Sequence, residues 1–280
     1  MEFRSLWTSD DDAAVERFRR ALEQDDLAES LLAIEGASEE RRAGAHALLD
    51  AWSDEVRPRL CQADPALAAF ALRDVIAERH HLSGCRGPYE RPENSALTHV
   101  LEVRQGLPLL VSAVWMEIGR RADFPVEGIG LPGHFVVRVG SGPGAQLVDA
   151  FAGGRAISEG DCHCLAAIAC RGQQPWSPHW LDPVSLPSLC ERALRNLLTA
   201  WLKTPQPAAL YRGLRFLQVL RPGCAELLYH RARLATEVGA WWEASTLFAE
   251  LLERFPESRR CALAERELRR LQVSGLNTLN

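Results

Sequence analysis

The chain has 280 residues, 47% of them hydrophobic and 25% charged, which excludes a disordered or fibrous class and allows an apolar core without disulfides. A formal charge of −5 with no basic stripe of interleaved aromatics speaks against a nucleic-acid partner. The start, Met1-Glu2-Phe3-Arg4-Ser5 running into Asp10-Asp11-Asp12, lacks the blocks of a signal peptide, and no apolar run could span a bilayer, so a cytoplasmic protein without membrane contact is expected.

From residue 11 to about 82 the spacing of Ala14, Val15, Phe18 and Leu22, and of the apolar residues after Leu27, Ala43 and Pro65, predicts packed helices with breaks at Gly36, Pro58 and Pro65. Residues 83–93 carry two glycines and two prolines and read as an ordered loop. Asn94 or Ser95 is then placed to cap a helix running to Arg104, with Gly106 ending it. A second helix starts at Pro108, the favoured first-turn position for proline, and runs to about Arg121. Leu109, Leu110, Ala113, Val114 and Ile118 make it apolar on more than one side, the mark of a buried central helix. Val126 to Leu131, His134 to Val139 and Gln146 to Val148 read as short strands, the last two as a hairpin.

The chain turns helical again from about Leu189. Pro222 and Pro256 lie 34 residues apart, the tetratricopeptide period, and Gly239, Trp241, Ala244 and Phe248 fall where that repeat wants a turn, an aromatic, a small and a large apolar residue. An ordinary helical hairpin closing the domain is the alternative. The boundaries drawn are 1–82 for an N-terminal helical region, 83–187 for an α+β core of one buried helix and a small antiparallel sheet, and 188–280 for a tetratricopeptide-like helical region.

His134 opens an apolar strand straight after Pro132-Gly133, and Asp149 closes the next strand 15 residues on. Neighbouring strands can bring the two side by side, with the carboxylate orienting the imidazole as nucleophilic catalysis requires. These segments resemble the transglutaminase-like branch of the papain-type fold. More closely, Pro92-Glu93-Asn94-Ser95, Val100 to Pro108, Gly130 to Phe135 and Asp149 to Gly154, continuing into Arg192 to Leu198, resemble the SirB family of bacterial transglutaminase-like proteins with tetratricopeptide tails. The resemblance implies a cysteine at the start of the buried helix, activated by the strand histidine and oriented by the aspartate. Here Pro108 stands at that position, so His134 and Asp149 are a relic pair without a nucleophile.

Cys85, in the Gly/Pro loop, and Ser112, one helical turn beyond Pro108, are the substitutes to weigh, although a chance thiol and a packed or back-bonded hydroxyl explain them as well. Arg104 and Glu102 are candidates to bind an acyl or carboxylate group in the cleft, or else form an ion pair anchoring the loop. Asn94 is a third cleft candidate, more simply a cap. Cys162-His163-Cys164, even with Cys170 and His179, lacks zinc-finger spacing, so no metal and no cofactor are expected. Trp176 and Trp180 read as pins for a linker, and Trp241-Trp242 as repeat core or an interaction patch. The favoured reading is a non-catalytic, regulatory module that binds another protein. The alternative is an acyl-transfer or cysteine-type hydrolytic enzyme using His134 and Asp149 with a displaced nucleophile such as Cys85.

Overall fold

The computed structural model describes residues 9–61, 63–85, 87, 91–203 and 206–277, so Arg86, Pro88, Tyr89 and Glu90 of the Gly/Pro loop and the first eight residues lie outside the described chain. Two compact units result: Ala21–Asn196, and α1 (Ser9–Glu23) up to Arg20 together with the chain from Leu197 onward. No described helix is long and apolar enough to cross a membrane.

The first of these units begins with α2 (Leu27–Glu35), α3 (Glu39–Leu60) and α4 (Pro65–Arg73). Local chemistry sets their ends. The Asp26, Ser38 and Asp64 side chains accept backbone N–H groups in the first turns of α2, α3 and α4, and Gly36 closes α2 in the left-handed region. After α4 the chain widens into a π-helical turn, Asp74–Arg79, with the His80 N–H donating to the Val75 carbonyl five residues back.

β1 (Ser83–Gly84) then pairs in parallel with β2 (Gln105–Gly106), with α5 (Leu97–Val103) between them in sequence. The expected cap is corrected here. Asn94 and Ser95 lie in a 3-10 turn, Pro92–Ser95, and α5 starts after Ala96 with no side-chain cap. Nor does Gly106 end that helix: Arg104 does, with φ 62° and ψ 26°. Sterics disfavour that conformation for a residue with a Cβ, and three contacts hold it: the Arg104 N–H donates to the Val100 carbonyl at 2.9 Å, its carbonyl accepts the Ser83 N–H at 3.1 Å, and its guanidinium lies 4.5 Å over the Trp52 ring.

α6 (Pro108–Arg121) is buried on all sides from Pro108 to Trp115, as its all-round apolar pattern demands. It packs on an antiparallel meander of β3 (Val126–Ile129), β4 (Val136–Val139), β5 (Gln146–Asp149) and β6 (Arg155–Ile157), ordered in space as in sequence. Gly128 pairs with Val137, Val137 with Val148, and Asp149 with Arg155. α7 (Glu159–Ala169), opened by a Ser158–Asp161 capping box, and the first part of α8 (Leu186–Lys203) complete the unit.

One core joins Leu32, Leu49, Trp52 and Ile76 of the early helices to Val111 and Trp115 of α6 and Val137 and Val148 of the sheet. Each such buried side chain contributes on the order of 2–3 kcal/mol. This core runs across residues 82 and 83, and the two compact units divide at 20/21 and 196/197.

The helical unit contains α9 (Pro207–Leu220), α10 (Ala225–Glu237), α11 (Trp241–Arg254) and α12 (Cys261–Asn277). Its core gathers Tyr211, Leu228, Ala244 and Phe248, and Phe18 of α1 meets Phe216 edge-on at 5.2 Å. Gly239 is left-handed in the α10–α11 turn, but Trp241 is 46% exposed and so is not the core aromatic the repeat reading assigned.

A buried carboxyl in the first unit gives a pH prediction. Burial raises the Glu35 pKa above 4.5, opposed by the Thr98 N–H at 3.2 Å. The native state thus keeps a proton that the unfolded chain releases, and stability falls as pH rises from about 4.5 through the raised value. Glu35→Gln keeps an acceptor for Thr98 and removes the titration. Melting temperatures taken across this range are expected to show the variant gaining on wild type as pH rises; a constant gap would refute it.

Candidate functional site

The turn Leu131-Pro132-Gly133-His134 carries the histidine just before β4 rather than within it, closed by the His134 N–H donating to the Leu131 carbonyl at 3.2 Å. Asp149 ends β5. Their side chains meet with His134 Nε2 3.1 Å from Asp149 Oδ2, the side chains being 13% and 6% exposed. The distance is that of an ion pair, yet the buried Nε2 makes no well-directed hydrogen bond. Proximity, more than a linear bond, joins the two side chains.

The carboxylate is itself oriented. Asp149 Oδ1 accepts the Ala152 N–H at 3.1 Å, and the Asp149 carbonyl accepts the Gly154 N–H at 3.0 Å. Phe151, in the same turn, stands edge-on to the imidazole at 5.8 Å. A residue that the sequence reading gave no role holds the other side: Arg192 Nη2 donates to the carbonyls of Leu131 at 2.9 Å and His134 at 2.6 Å, and its guanidinium lies 5.3 Å over the Phe135 ring. Its place within the stretch shared with the family was the only available signal.

His134 and Pro108 line one cavity of about 500 Å³, together with Trp180, Arg195 and Asn196. Pro108 is the first residue of α6, and Leu107 before it gives no side-chain cap. The first amides of the helix therefore have no intrahelical acceptor, and its positive end faces this region. No cysteine or serine is among the described residues lining the cavity.

The proposed substitutes lie elsewhere. Ser112 is fully buried and its Oγ donates to the Phe135 carbonyl at 3.3 Å, so its hydroxyl is spent on tying α6 to the sheet. Cys85 is half-buried, its N–H bonded to the Gly106 carbonyl at 3.0 Å, and burial pushes its thiol up. That opposes the activation a nucleophile needs. Its neighbour Gly84 donates to the Phe151 carbonyl at 2.9 Å, which brings this strand to the turn beside His134.

The cleft roles of Arg104 and Glu102 are also corrected. They line a different cavity, of about 620 Å³, with Arg41 and Thr98. Glu102 pairs with Arg41 at 3.1 Å, not with Arg104, whose guanidinium lies 4.5 Å over the Trp52 ring and is lowered in pKa by burial. Asn94 is buried, and its carbonyl accepts the Leu107 N–H at 3.2 Å, fixing the approach to α6.

No group of three or more His, Cys, Asp or Glu side chains among the described residues is placed to hold a metal ion. Cys162, His163 and Cys164 are consecutive on α7, where successive side chains point about 100° apart and cannot converge. Cys162 is buried and its thiol is pushed up to about 11, by burial first and then by Asp161, Asp149 and Glu159. The His163 ring lies tilted at 5.0 Å from Trp176, which meets Trp180 edge-on at 5.5 Å, and both tryptophans pack on the cluster of Ile129, Leu131, Val136 and Cys162, which ties the 175–187 segment to the sheet and α7.

Among known proteins the chain is 29% identical to a UPF0162 protein of Xylella fastidiosa (strain Temecula1) over 175 residues, 55% of this chain and 62% of that protein. It is 27% identical to F-box only protein 21 of Homo sapiens over 186 residues, 62% of this chain but 29% of that protein. The chain thus matches less than two thirds of either relative's length. A crystal structure of menin superposes with a TM-score of 0.40 and 14% identity over 89% of this chain and 71% of that one, too loose a likeness to carry an argument. The sequence profile of the transglutaminase-like superfamily matches residues 43–195, the span that contains α6, the sheet and the His134–Asp149 pair. The chain belongs to the transglutaminase-like superfamily.

Proposed function

We propose that this chain is a non-catalytic, SirB-type member of the superfamily, a regulatory module whose cleft and tetratricopeptide-like tail bind another protein. The observation that carries the reading is Pro108: the residue that opens the buried helix and shares a cavity with His134 has no group that can attack an acyl carbon. What the cleft retains suits binding. An uncapped helix start favours a carbonyl or carboxylate, Arg195 and Asn196 add polar lining, and Trp180 gives an apolar wall. The eight cysteines are unpaired, as a reducing compartment such as the cytoplasm would keep them.

The second reading, a displaced nucleophile at Cys85, is favoured by the short path from Gly84 through Phe151 to the His134 ring. Alkylation separates the two. Iodoacetamide labelling of Cys85, followed by mass spectrometry against pH, is expected to titrate above the ordinary thiol range and to be the same in His134→Ala. A tenfold or greater slowing at neutral pH on His134→Ala would sink the non-catalytic reading and name Cys85 as the nucleophile.

A further inference from the structure

In the helical unit, Arg231 of α10 is only 6% exposed, and no carboxylate lies within ion-pair range of it among the described residues. Its Nη1 donates to Gln218 Oε1 and its Nη2 to the Tyr211 hydroxyl at 2.7 Å, while Nε is buried without a hydrogen bond. The guanidinium also lies 4.9 Å over the Tyr211 ring. Burial pushes the Tyr211 hydroxyl up to about 12, so it stays neutral and passes its own proton toward Glu243. The buried cation therefore touches only neutral groups. A charge removed from water in this way is costly unless an anion meets it.

Space for that anion exists. Arg231 lines a cavity of about 400 Å³, joined by Arg19 of α1, which makes no ion pair among the described residues. Two further arginines of the lining are already matched. Arg215 meets Asp12 at 3.1 Å, and Arg254 meets Glu250 and donates to the Pro222 carbonyl at 3.3 Å. The remaining acid of the lining, Glu243, is held by the Tyr211 hydroxyl. At the rim Trp242 is 80% exposed, an aromatic face with nothing packed on most of it.

We propose that this cavity takes a carboxylate carried by a peptide segment of a partner protein, with Arg231 and Arg19 facing the carboxylate and Trp242 covering the neighbouring side chain. Guanidinium groups suit a planar, bidentate acceptor, and an exposed tryptophan suits an apolar residue beside it. The cavity's size fits one side chain or chain end and not the backbone of a polymer, and the chain's charge of −5 disfavours polyanions. This inference rests on the helical unit alone and stands or falls apart from the His134 cleft.

The test is calorimetric titration of the whole chain with a hexapeptide of alternating leucine and glutamate ending in a free carboxylate. Its amidated form and its glutamine form follow as separate arms. Saturable binding is expected, weakened about tenfold or more by Arg19→Glu, by Arg231→Gln and by Trp242→Ala, the size of one lost charge-assisted contact. Arg269→Glu, outside the cavity, is expected to leave it unchanged. Loss on amidation assigns the chain terminus, and loss in the glutamine form assigns the side chains; either supports the proposal. Arg19 is exposed, so its variant keeps the test valid even if Arg231→Gln fails to fold. No saturable heat, or equal affinity in Arg19→Glu, overturns it.

Discussion

Pro108→Cys is expected to produce a thiol that iodoacetamide labels about ten times faster than any native cysteine at about pH 5.5. The position supplies both ingredients of activation: it is the first residue of α6, at the positive end of the helix, and it shares a cavity with His134. If these lower its pKa from about 8.5 to about 6, the thiolate fraction at that pH rises roughly two-hundredfold. The less basic thiolate is intrinsically about tenfold slower, so a net gain of about ten- to twentyfold remains. Adding His134→Ala is expected to remove most of the gain. Replacing proline at a helix start costs at most about 1 kcal/mol, so folding should survive. Were the new thiol no faster than exposed Cys61 or Cys164, the cleft would not be a catalytic site short of its nucleophile, and the reading of His134 and Asp149 as a relic pair would fall.

The largest expected loss of stability is at Gly154. It lies in the turn that orients Asp149, at φ 77°, and a Cβ there would come within 2.7 Å of the Trp115 ring and 3.1 Å of Arg73 Cγ. Trp115 is fully buried in α6 and cannot swing aside. Left-handed strain of about 1–2 kcal/mol adds to overpacking of about 1–3 kcal/mol, so Gly154→Ala should lose roughly 2–5 kcal/mol in urea unfolding. Gly153 is the internal control. Its φ is 72°, but a Cβ there meets nothing within 4 Å, so Gly153→Ala should show the strain alone, about 1–2 kcal/mol. Equal losses in the two variants would mean that the Trp115 contact yields, and that the turn is less tightly seated on α6 than its packing implies.

Much of the site was legible because it is written in short-range signals. Proline opening an all-apolar run places α6, valine-rich stretches between glycines and prolines place β3 to β5, and His134 and Asp149 occupy adjoining ends of neighbouring strands. What stayed hidden depends on contacts distant in sequence. The pairing of β1 with β2 involves two residues on each side, too few for any period to register. The π-helical turn after α4 has the same apolar spacing as an ordinary helix. Arg104 in a left-handed conformation could not be foreseen, because glycine two residues later is the conventional stop. Nor could the role of Arg192, which turns on two carbonyls about sixty residues away. The core that spans 82/83 was hidden for a related reason: a change of local character marks an element boundary, but packing across it depends on contacts far apart in sequence.

The two edges of the meander limit how anything can dock on it. Along β3 the chain after Trp180 returns and bridges Ile129 to Pro183, while the Val184 N–H donates to the Gly128 carbonyl. This edge is already partly occupied, and proline offers no donor for further pairing. The opposite edge is β6, only three residues long and opened by Arg155. Neither margin is a template on which an extended peptide could add itself as a strand, so the sheet is guarded against edge-to-edge aggregation as well. A partner of this unit would have to be recognised through side chains and helix ends, which makes single substitutions, rather than backbone register, the sensitive probes of such binding.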